Sequence, residues 1–485
     1  MNDKIMAEKR PFYGRKEELF VLHQEYKKST SSLIVIRGRR RIGKSRLIEQ
    51  FSQNLNIVSF TGLPPEPKTT AEMQKKEFAY QMSKNLNMPE IKTDNWSELF
   101  LHLAKATSKG QALIVFDEIS WMGSKDSIFL GKLKIAWDTE FSKNPKLMLI
   151  LCGSVSSWIE KNILSQTGFL GRISIDLVLE QMPLCDCVKF WKSLKKRVSA
   201  YEIFKILSIT GGVPKYLEEI IPEESAEDNI QRLCFKPRGI LYREFDQIFS
   251  DLFTKRNETY RKIVIELING SKSLDQICES IKYQKGGSIS KYLNDLEAAG
   301  FVSVDWTWNF ANKKISNLRK FRLSDNYTRF YLKYILPQKE IILQKNFVRE
   351  SFMMLPNWST IMGFQFENLV FANRLSLYNC LKINPADVLI ANPYFQRKTS
   401  RNSGCQIDFL IQTRYHSLYV VEMKFSKSKI EPSCINEVDK KISSLTVPKR
   451  FSIRRVLVHV NGVQDSVEES GFFDYIVDFS SLLQL

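Results

Sequence analysis

Eight consecutive residues near the start of the chain have the composition of a loop that binds phosphate. They are Gly38, Arg39, Arg40, Arg41, Ile42, Gly43, Lys44 and Ser45. The two glycines let the backbone curl so that successive N–H groups face one anion at the start of a helix. Lys44 can then reach the outer phosphates of a nucleotide, and the Ser45 hydroxyl can bind Mg²⁺. An apolar run precedes the loop and a helical pattern follows it, so the segment predicts a P-loop with all eight residues as nucleotide contacts.

Two acids at the end of an apolar run can supply the chemistry that such a loop needs. The run 112–116 shows no polar alternation, which is typical of a strand buried on both faces in a parallel sheet. It ends in Asp117 and Glu118, at the sheet edge where ligands bind. We expect Asp117 to hold Mg²⁺ through water and Glu118 to polarise the attacking water. The alternative is a pair of solvated acids at a strand end.

Two more side chains are candidates for the same site. Ser154 follows the apolar run 147–153, where it can sense the γ-phosphate or the attacking water. A serine that only caps the next helix is the alternative. Arg172 precedes an alternating strand and can neutralise transition-state charge as an arginine finger, from the same chain or from a neighbouring subunit of a homo-oligomer. A structural ion pair is the alternative for this arginine.

Acids and a lysine near the other end of the chain have the pattern of a metal-dependent hydrolytic site. Two strands joined by a hairpin would bring Asp408 beside Glu422, and Lys424 shares a strand face with Glu422. Two carboxylates can hold a hard divalent cation, usually Mg²⁺, and Lys424 can orient or deprotonate water for phosphodiester hydrolysis. Glu367, on the preceding predicted helix, can reach the same ion. The alternatives are a cross-strand salt bridge and a structural relic of such a site.

The elements that must position these residues divide the chain into three predicted domains. Residues 1–225 predict an α/β nucleotide-binding domain with a parallel sheet. Its last part, 184–222, turns helical around a Gly211-Gly212 turn, and we expect it to form a lid on the nucleotide site. Residues 226–340 predict a linker and a winged helix-turn-helix, and residues 345–485 carry the C-terminal acids.

The winged helix-turn-helix is predicted from three helices and a β-hairpin within the middle domain. Its third helix is the candidate for a DNA major groove, and its polar face carries Ser288, Ser290, Lys291 and Asn294. The distal hairpin strand is densely basic. Two acids on the third helix weaken the assignment to DNA, and such modules also bind proteins, so both kinds of partner stay open.

Composition favours an acidic partner and no membrane. The net charge is +18 and the pI is about 9.3, which favours DNA or nucleotide phosphate over other partners. The eight cysteines are scattered and there are four histidines, so a zinc site is not expected. We expect reduced thiols in a cytoplasmic protein, because the N-terminus is charged and no apolar run approaches the length of a membrane span.

Taken together, the motifs resemble a family of archaeal and bacterial AAA+-like (STAND-related) P-loop ATPases of the DUF234 type. They are Phe12–Leu19, Gly38–Ser45, Asp117-Glu118, Gly153-Ser154, Gly171-Arg172, Gly211–Leu217 and the set Glu367, Asp408, Glu422 and Lys424. The resemblance implies ATP and Mg²⁺ as cofactors, and a C-terminal domain similar to the PD-(D/E)XK nucleases, with an α/β restriction-endonuclease-like fold. The family often has Glu-Ile-Asp where this chain has Gln406-Ile407-Asp408, and the acid that matches the metal ligand is retained.

Two functions remain open on these grounds. The first is an ATPase coupled to a DNA-binding, metal-dependent nuclease domain. The second is a nucleotide-dependent regulatory switch that binds DNA or protein and cleaves no nucleic acid. A magnesium-dependent nuclease assay with and without ATP separates them.

Overall fold

The computed structural model describes residues 11–252, 257–347, 351–398, 400 and 403–484. The chain divides into two compact units, a first unit of residues 1–182 and a second unit of residues 183–485. The helical segment predicted as a lid therefore belongs to the second unit. The domain boundaries predicted near 225 and 340 stay predictions, and so does the role of that segment as a lid.

The first unit is a five-stranded parallel sheet with helices. Over residues 11–182 its strands are β1 (Ser32–Arg37), β2 (Ile57–Thr61), β3 (Ala112–Asp117), β4 (Leu147–Gly153) and β5 (Ile173–Val178). Its helices there are α1 (Lys16–Tyr26), α2 (Lys44–Phe51), α3 (Ala71–Leu86), α4 (Trp96–Ala106), α5 (Ile119–Met122), α6 (Phe129–Thr139) and α7 (Ser156–Ile159). The parallel α/β class predicted from the apolar runs is confirmed.

The strand order explains which chain segments meet at the edge of this sheet. The order is β2-β3-β4-β1-β5, so β4 lies between the strand before the P-loop and the strand that ends in the two acids. All three central strands are almost entirely buried, because parallel strands are covered on both faces. Their carboxyl ends therefore lie side by side, and the segments that follow them can build one site.

The core of the first unit covers both faces of the sheet. Leu33 and Val35 of β1 belong to one apolar cluster, in which Phe60 stacks on Phe78 with ring centroids 4.1 Å apart. The alternate residues of β1 belong to a cluster on the opposite face, together with Ile42 of the P-loop. Burying one such side chain contributes about 1.5–3 kcal/mol. The P-loop is thus anchored to the core through one of its own residues.

The second unit contains a helical part, a two-stranded hairpin and a mixed sheet. Over its described residues the helices are α8 (Leu184–Cys187), α9 (Ala200–Thr210), α10 (Pro214–Leu217), α11 (Ala226–Cys234), α12 (Ile240–Leu252), α13 (Asn257–Glu266), α14 (Leu274–Ser280), α15 (Gly287–Ala298), α16 (Asn326–Phe330), α17 (Lys339–Leu343), α18 (Trp358–Ala372), α19 (Arg374–Cys380), α20 (Ser433–Ser444), α21 (Asp465–Glu469) and α22 (Phe479–Leu482). The strands are β6 (Val302–Trp308), β7 (Ile315–Leu323), β8 (Val388–Gln396), β9 (Cys405–Thr413), β10 (Ser417–Phe425), β11 (Ser452–Val460) and β12 (Tyr475–Asp478).

Three helices and a hairpin follow one another in the middle of the chain, as the sequence predicted. These are α13, α14 and α15, followed by the antiparallel pair β6 and β7. Ser273 caps α14 and forms a capping box with Gln276. The hairpin is also joined to the mixed sheet, because Trp308 Nε1 donates to Gln412 Oε1 at 2.6 Å and Asn392 Nδ2 donates to the carbonyl of Trp306 at 2.8 Å. Part of the predicted wing is therefore in contact with the mixed sheet.

The mixed sheet has the order β12-β11-β10-β9-β8. Strands β9 and β10 form the antiparallel hairpin that the sequence predicted, and their last paired residues are Phe409 and Val421. The next residues along the two strands are Asp408 and Glu422. The helix that carries Glu367 is α18, and its contacts with β10 place it against the same sheet.

All eight cysteines are free thiols. Among the described residues no helix combines the length and the apolar character that crossing a membrane requires.

Candidate functional site

The P-loop connects β1 to α2 in the conformation that its two glycines allow. Gly38 has a φ of +149°, and a Cβ at this position would lie 2.4 Å from the carbonyl oxygen of Leu179. Gly43 has a φ of +93° and stands directly before the first residue of α2. Both positions favour glycine, because a side chain there would be strained or would clash.

Replacing Gly38 with alanine is expected to disturb the loop strongly. The new methyl group meets the backbone of Leu179 rather than a movable side chain, so the loop must shift. We expect nucleotide affinity to fall at least about tenfold and the melting temperature to drop by several degrees. Calorimetric titration and thermal unfolding measure the two effects. Gly131→Ala in α6 is the matched control, because nothing lies within 4 Å of a Cβ there. Equal effects of the two substitutions would contradict the role of Gly38.

The lysine of the loop is buried and directed at the loop backbone. Lys44 is 7% exposed, and its Nζ donates to the carbonyls of Gly38 at 2.9 Å and Arg39 at 3.1 Å. Burial lowers the pKa of Lys44, and the nearby charges of Asp117 and Glu118 oppose that shift. The ammonium is thus held against the backbone of the loop by two hydrogen bonds.

The other side chains in the loop have different surroundings. Ile42 is fully buried, so its side chain anchors the loop and only its backbone can face a nucleotide. Arg39 is buried, and Arg40 and Arg41 are half-buried. None of the three arginines is fully exposed to solvent. A direct contact between them and phosphate remains a prediction.

Ser45 and Asp117 meet across the sheet edge. The Ser45 hydroxyl donates to Asp117 Oδ2 at 3.0 Å, and the backbone N–H of Glu118 donates to Asp117 Oδ1 at 3.0 Å. A hydroxyl and a carboxylate are the hard oxygen ligands that Mg²⁺ prefers, and Mg²⁺ usually completes its shell with water and phosphate oxygens. The two residues therefore fit the magnesium position that the sequence predicted.

Glu118 is held by Ser154 at the tip of the neighbouring strand. The Ser154 hydroxyl lies 3.1 and 3.0 Å from the two carboxylate oxygens of Glu118. Helix α7 begins after Val155 without a side-chain cap, so the alternative of Ser154 as a helix cap is not what the structure shows. Burial is the largest influence on the pKa of Glu118 and raises it, while Lys44 opposes the shift. A partly desolvated carboxylate beside the loop can accept a hydrogen bond from water.

Arg15, within the motif Phe12–Leu19, contacts the P-loop. It is buried, and its guanidinium donates to the carbonyls of Ile42 at 3.2 Å and Glu180 at 2.5 Å. It also pairs with Glu18 at 2.8 Å. Sequence analysis had not assigned this role, because the acceptors are backbone atoms far away in the chain.

Arg172 forms an ion pair within the first unit. Its Nε and Nη2 donate to the two oxygens of Asp138 on α6 at 2.6 and 3.0 Å. The guanidinium of Arg172 lowers the pKa of Asp138 to about 2, and Lys134 adds to the effect. The structure therefore shows the structural alternative for this arginine. Action as an arginine finger stays a prediction that requires this pair to open.

The C-terminal acids and lysine come together as the sequence predicted. The backbone N–H of Met423 donates to Asp408 Oδ2 at 3.0 Å, which fixes that carboxylate against β10. Lys424 Nζ lies 3.4 Å from Glu422 Oε1 and 2.5 Å from Glu437 Oε2 of α20. Burial and the charge of Asp408 raise the pKa of Glu422. Two carboxylates and a lysine from two adjacent strands thus share one place.

Glu367 of α18 approaches the same place from a neighbouring cavity. The cavity measures about 260 Å³ and is lined by both Glu367 and Asp408. Burial and the charge of Asp408 raise the pKa of Glu367, and two arginines, Arg322 and Arg329, oppose the shift. Within the described residues no three acidic, histidine or cysteine side chains form a ready metal site. The acid pair Asp408 and Glu422 nevertheless fits Mg²⁺, which is often held by only two carboxylates with water and phosphate oxygens.

One lysine in this region was not predicted from the sequence as part of the site. Lys441 of α20 contacts both carboxylates of the pair, at 2.5 Å from Glu422 Oε2 and 3.4 Å from Asp408 Oδ1. It stands four residues after Glu437, so both side chains face the strands from one side of the helix. Charged residues four apart are common on surface helices, and nothing in the local pattern separates this pair from those.

The chain is similar to known proteins over the first unit and the beginning of the second. Residues 12–220 match a family described as an ATPase domain predominantly from Archaea. The uncharacterized protein MJECL04 of Methanocaldococcus jannaschii is 24% identical over 361 residues, which cover 74% of this chain and 76% of that protein. The ATP-binding protein MJ0423 of the same organism is 44% identical over 46 residues, which cover 10% of this chain and 78% of that protein.

A solved structure shares the fold. The Walker-type ATPase paby2304 of Pyrococcus abyssi matches with a TM-score of 0.51 and 17% identity, over 66% of this chain and 96% of that one. At this identity the likeness concerns the fold alone. The parallel sheet, the P-loop and the family match agree with one another: residues 12–220 are similar to the ATPase domains found predominantly in Archaea.

Proposed function

We propose that the first unit binds ATP with Mg²⁺ and hydrolyses it. The observation that carries the proposal is the convergence of three strand ends, which brings Lys44, the Ser45–Asp117 pair and the Glu118–Ser154 pair to one edge of the sheet. The similarity to an ATP-binding relative supports ATP as the nucleotide.

Each residue then has a separate task. The N-terminus of α2 and Lys44 bind the outer phosphates. Ser45 and Asp117 would hold Mg²⁺, which when bound neutralises negative charge on the phosphates. Glu118 accepts a hydrogen bond from the attacking water through a carboxylate oxygen, and Ser154 keeps that carboxylate in place.

Replacing Lys44 with alanine tests whether the loop binds nucleotide. A hydrogen bond to a charged group contributes about 1.5–3 kcal/mol, so we expect ATP to bind about 10- to 100-fold more weakly. Titration calorimetry measures the affinity, and thermal unfolding checks that the variant folds. The matched control is Lys76→Ala, which removes a lysine from an exposed pair with Glu72 on α3. Unchanged affinity in a folded Lys44→Ala protein would overturn the assignment.

For the second unit we propose metal-dependent cleavage of phosphodiester bonds. The supporting observation is that Glu422 contacts Lys424 and shares Lys441 with Asp408, and that Asp408 lines one cavity together with Glu367. In this proposal the two carboxylates would hold Mg²⁺, which would supply Lewis-acid chemistry, and Lys424 orients the attacking water. The assay is nicking of plasmid DNA with Mg²⁺, with and without ATP, against a control with chelator.

DNA is the proposed substrate because of the surface of the middle helices. Ser290, Lys291 and Asn294 of α15 are exposed, as a groove-reading face requires. Asp295, which had counted against this reading, accepts a hydrogen bond from Tyr260 at 2.7 Å and is held against α13. The resemblance to winged-helix and nuclease-like domains of the DUF234 type is a further support and remains a prediction.

Fewer basic side chains of β7 are available for DNA phosphate than the composition of the strand indicated. Arg322 forms two hydrogen bonds with Asp305, at 2.9 and 3.1 Å, and Lys320 donates to Gln406 at 3.1 Å. Lys314 and Arg319 are exposed and remain candidates for DNA phosphate. The regulatory switch without cleavage is the alternative, and the nicking assay decides between them.

A further inference from the structure

A lysine that has no part in the proposed cleavage lies on the two acids that would hold the metal. Lys441 Nζ is 2.5 Å from Glu422 and 3.4 Å from Asp408. The Glu422 side chain is 3% exposed and that of Asp408 is 16% exposed. Carboxylates with so little water need a positive partner within the protein. The ammonium of Lys441 is the positive partner of both carboxylates.

A divalent cation would need the same oxygens. Mg²⁺ or Mn²⁺ binds carboxylate oxygens directly, and the ammonium of Lys441 already contacts one oxygen of Glu422 and one oxygen of Asp408. Two cations at that short range repel each other strongly in a poorly hydrated site. Binding of the metal therefore requires the ammonium to leave.

The side chain of Lys441 is able to leave. It is 29% exposed and stands on a flexible four-carbon stem near the end of α20. The acid one turn earlier, Glu437, is already paired with Lys424 at 2.5 Å. The helix therefore offers no second strong acceptor on this face, and the displaced ammonium turns towards solvent, where an anionic phosphodiester would approach.

We propose that Lys441 is an internal cation that occupies the Asp408–Glu422 pair and that a divalent metal ion must displace. The inference rests on the metal site proposed for the second unit. It makes Lys441 a positioning residue that sets metal affinity, and it couples metal binding to the release of a positive charge at the site.

Mn²⁺ binding to the full chain, without nucleic acid or nucleotide, tests the proposal. Electron paramagnetic resonance counts free Mn²⁺, and binding that Asp408→Asn removes is assigned to this site. Lys441→Met is expected to bind Mn²⁺ at least tenfold more tightly than the unsubstituted protein. Lys440→Met is the matched control, because it removes the same charge from an exposed neighbour on α20 and should change affinity less than about twofold.

The outcomes distinguish the role of Lys441 from the metal site on which that role depends. Equal or weaker Mn²⁺ binding by Lys441→Met, with Asp408-dependent binding intact, overturns the role of Lys441 and leaves the metal site standing. If Lys441→Met and Lys440→Met both bind Mn²⁺ more tightly by the same factor, the loss of one positive charge explains the change. That result also overturns the role of Lys441. No Asp408-dependent binding in any protein overturns both the metal site and the inference.

Discussion

Glu118→Gln is expected to lower the rate of ATP hydrolysis by about 10²- to 10⁴-fold while leaving ATP affinity nearly unchanged. Glutamine keeps the size of the side chain and an oxygen for the Ser154 hydroxyl, which lies 3.0–3.1 Å from both carboxylate oxygens. It loses the negative charge that polarises water. Release of phosphate measures the rate, and calorimetry measures the affinity.

The control for this variant is an acid in the same unit that has no part in the site. Glu98→Gln changes an exposed glutamate in the first turn of α4 and should leave the rate within about twofold of the unsubstituted protein. If Glu118→Gln hydrolysed ATP as fast as this control, Glu118 would be a structural partner of Ser154 and another group would activate the water.

Asp408→Asn is expected to abolish magnesium-dependent cleavage of DNA, with a loss of at least about 100-fold. Asparagine retains an oxygen that can accept the hydrogen bond from the N–H of Met423, so the fold of the hairpin is preserved. It removes one of the two charges that would bind the metal. Lys424→Ala should lose cleavage as well, because Lys424 is the proposed partner of the attacking water.

Asp439→Asn is the matched control for this experiment. Asp439 is an exposed acid on α20, close in sequence to the residues that face the site. If Asp408→Asn and Lys424→Ala cleaved DNA as fast as Asp439→Asn, the catalytic groups would lie elsewhere. Absence of cleavage in the unsubstituted protein would favour the regulatory switch.

The nucleotide site could be predicted from sequence because its information is local. Glycine spacing, a lysine-serine pair at a helix start and acids after an apolar run each report on one strand end. The rule that parallel strands present their carboxyl ends at one edge then assembles them. The contact between Ser45 and Asp117 at 3.0 Å follows from these features. In the same way, a hairpin between two adjacent strands predicted that Asp408 lies beside Glu422.

The contacts that the sequence did not reveal depend on distant segments. Arg15 braces Ile42 and Glu180 through backbone carbonyls, which carry no residue signature. The sequence left two roles open for Arg172, an arginine finger and a structural ion pair. Its pairing with Asp138 depends on how α6 packs. Lys441 reaches the acid pair only because α20 lies against β9 and β10. Tertiary packing decides each case.

A single-turnover experiment tests most directly whether the first unit is a working ATPase. Protein in excess is loaded with ATP in the absence of divalent cations, Mg²⁺ is added, and released phosphate is followed over time. The unsubstituted protein is expected to convert the bound ATP in one phase, and Glu118→Gln is expected to hold it unhydrolysed. Two results would contradict the proposed hydrolysis. In the first, the unsubstituted protein leaves the bound ATP intact; in the second, Glu118→Gln releases phosphate at the same rate as the unsubstituted protein.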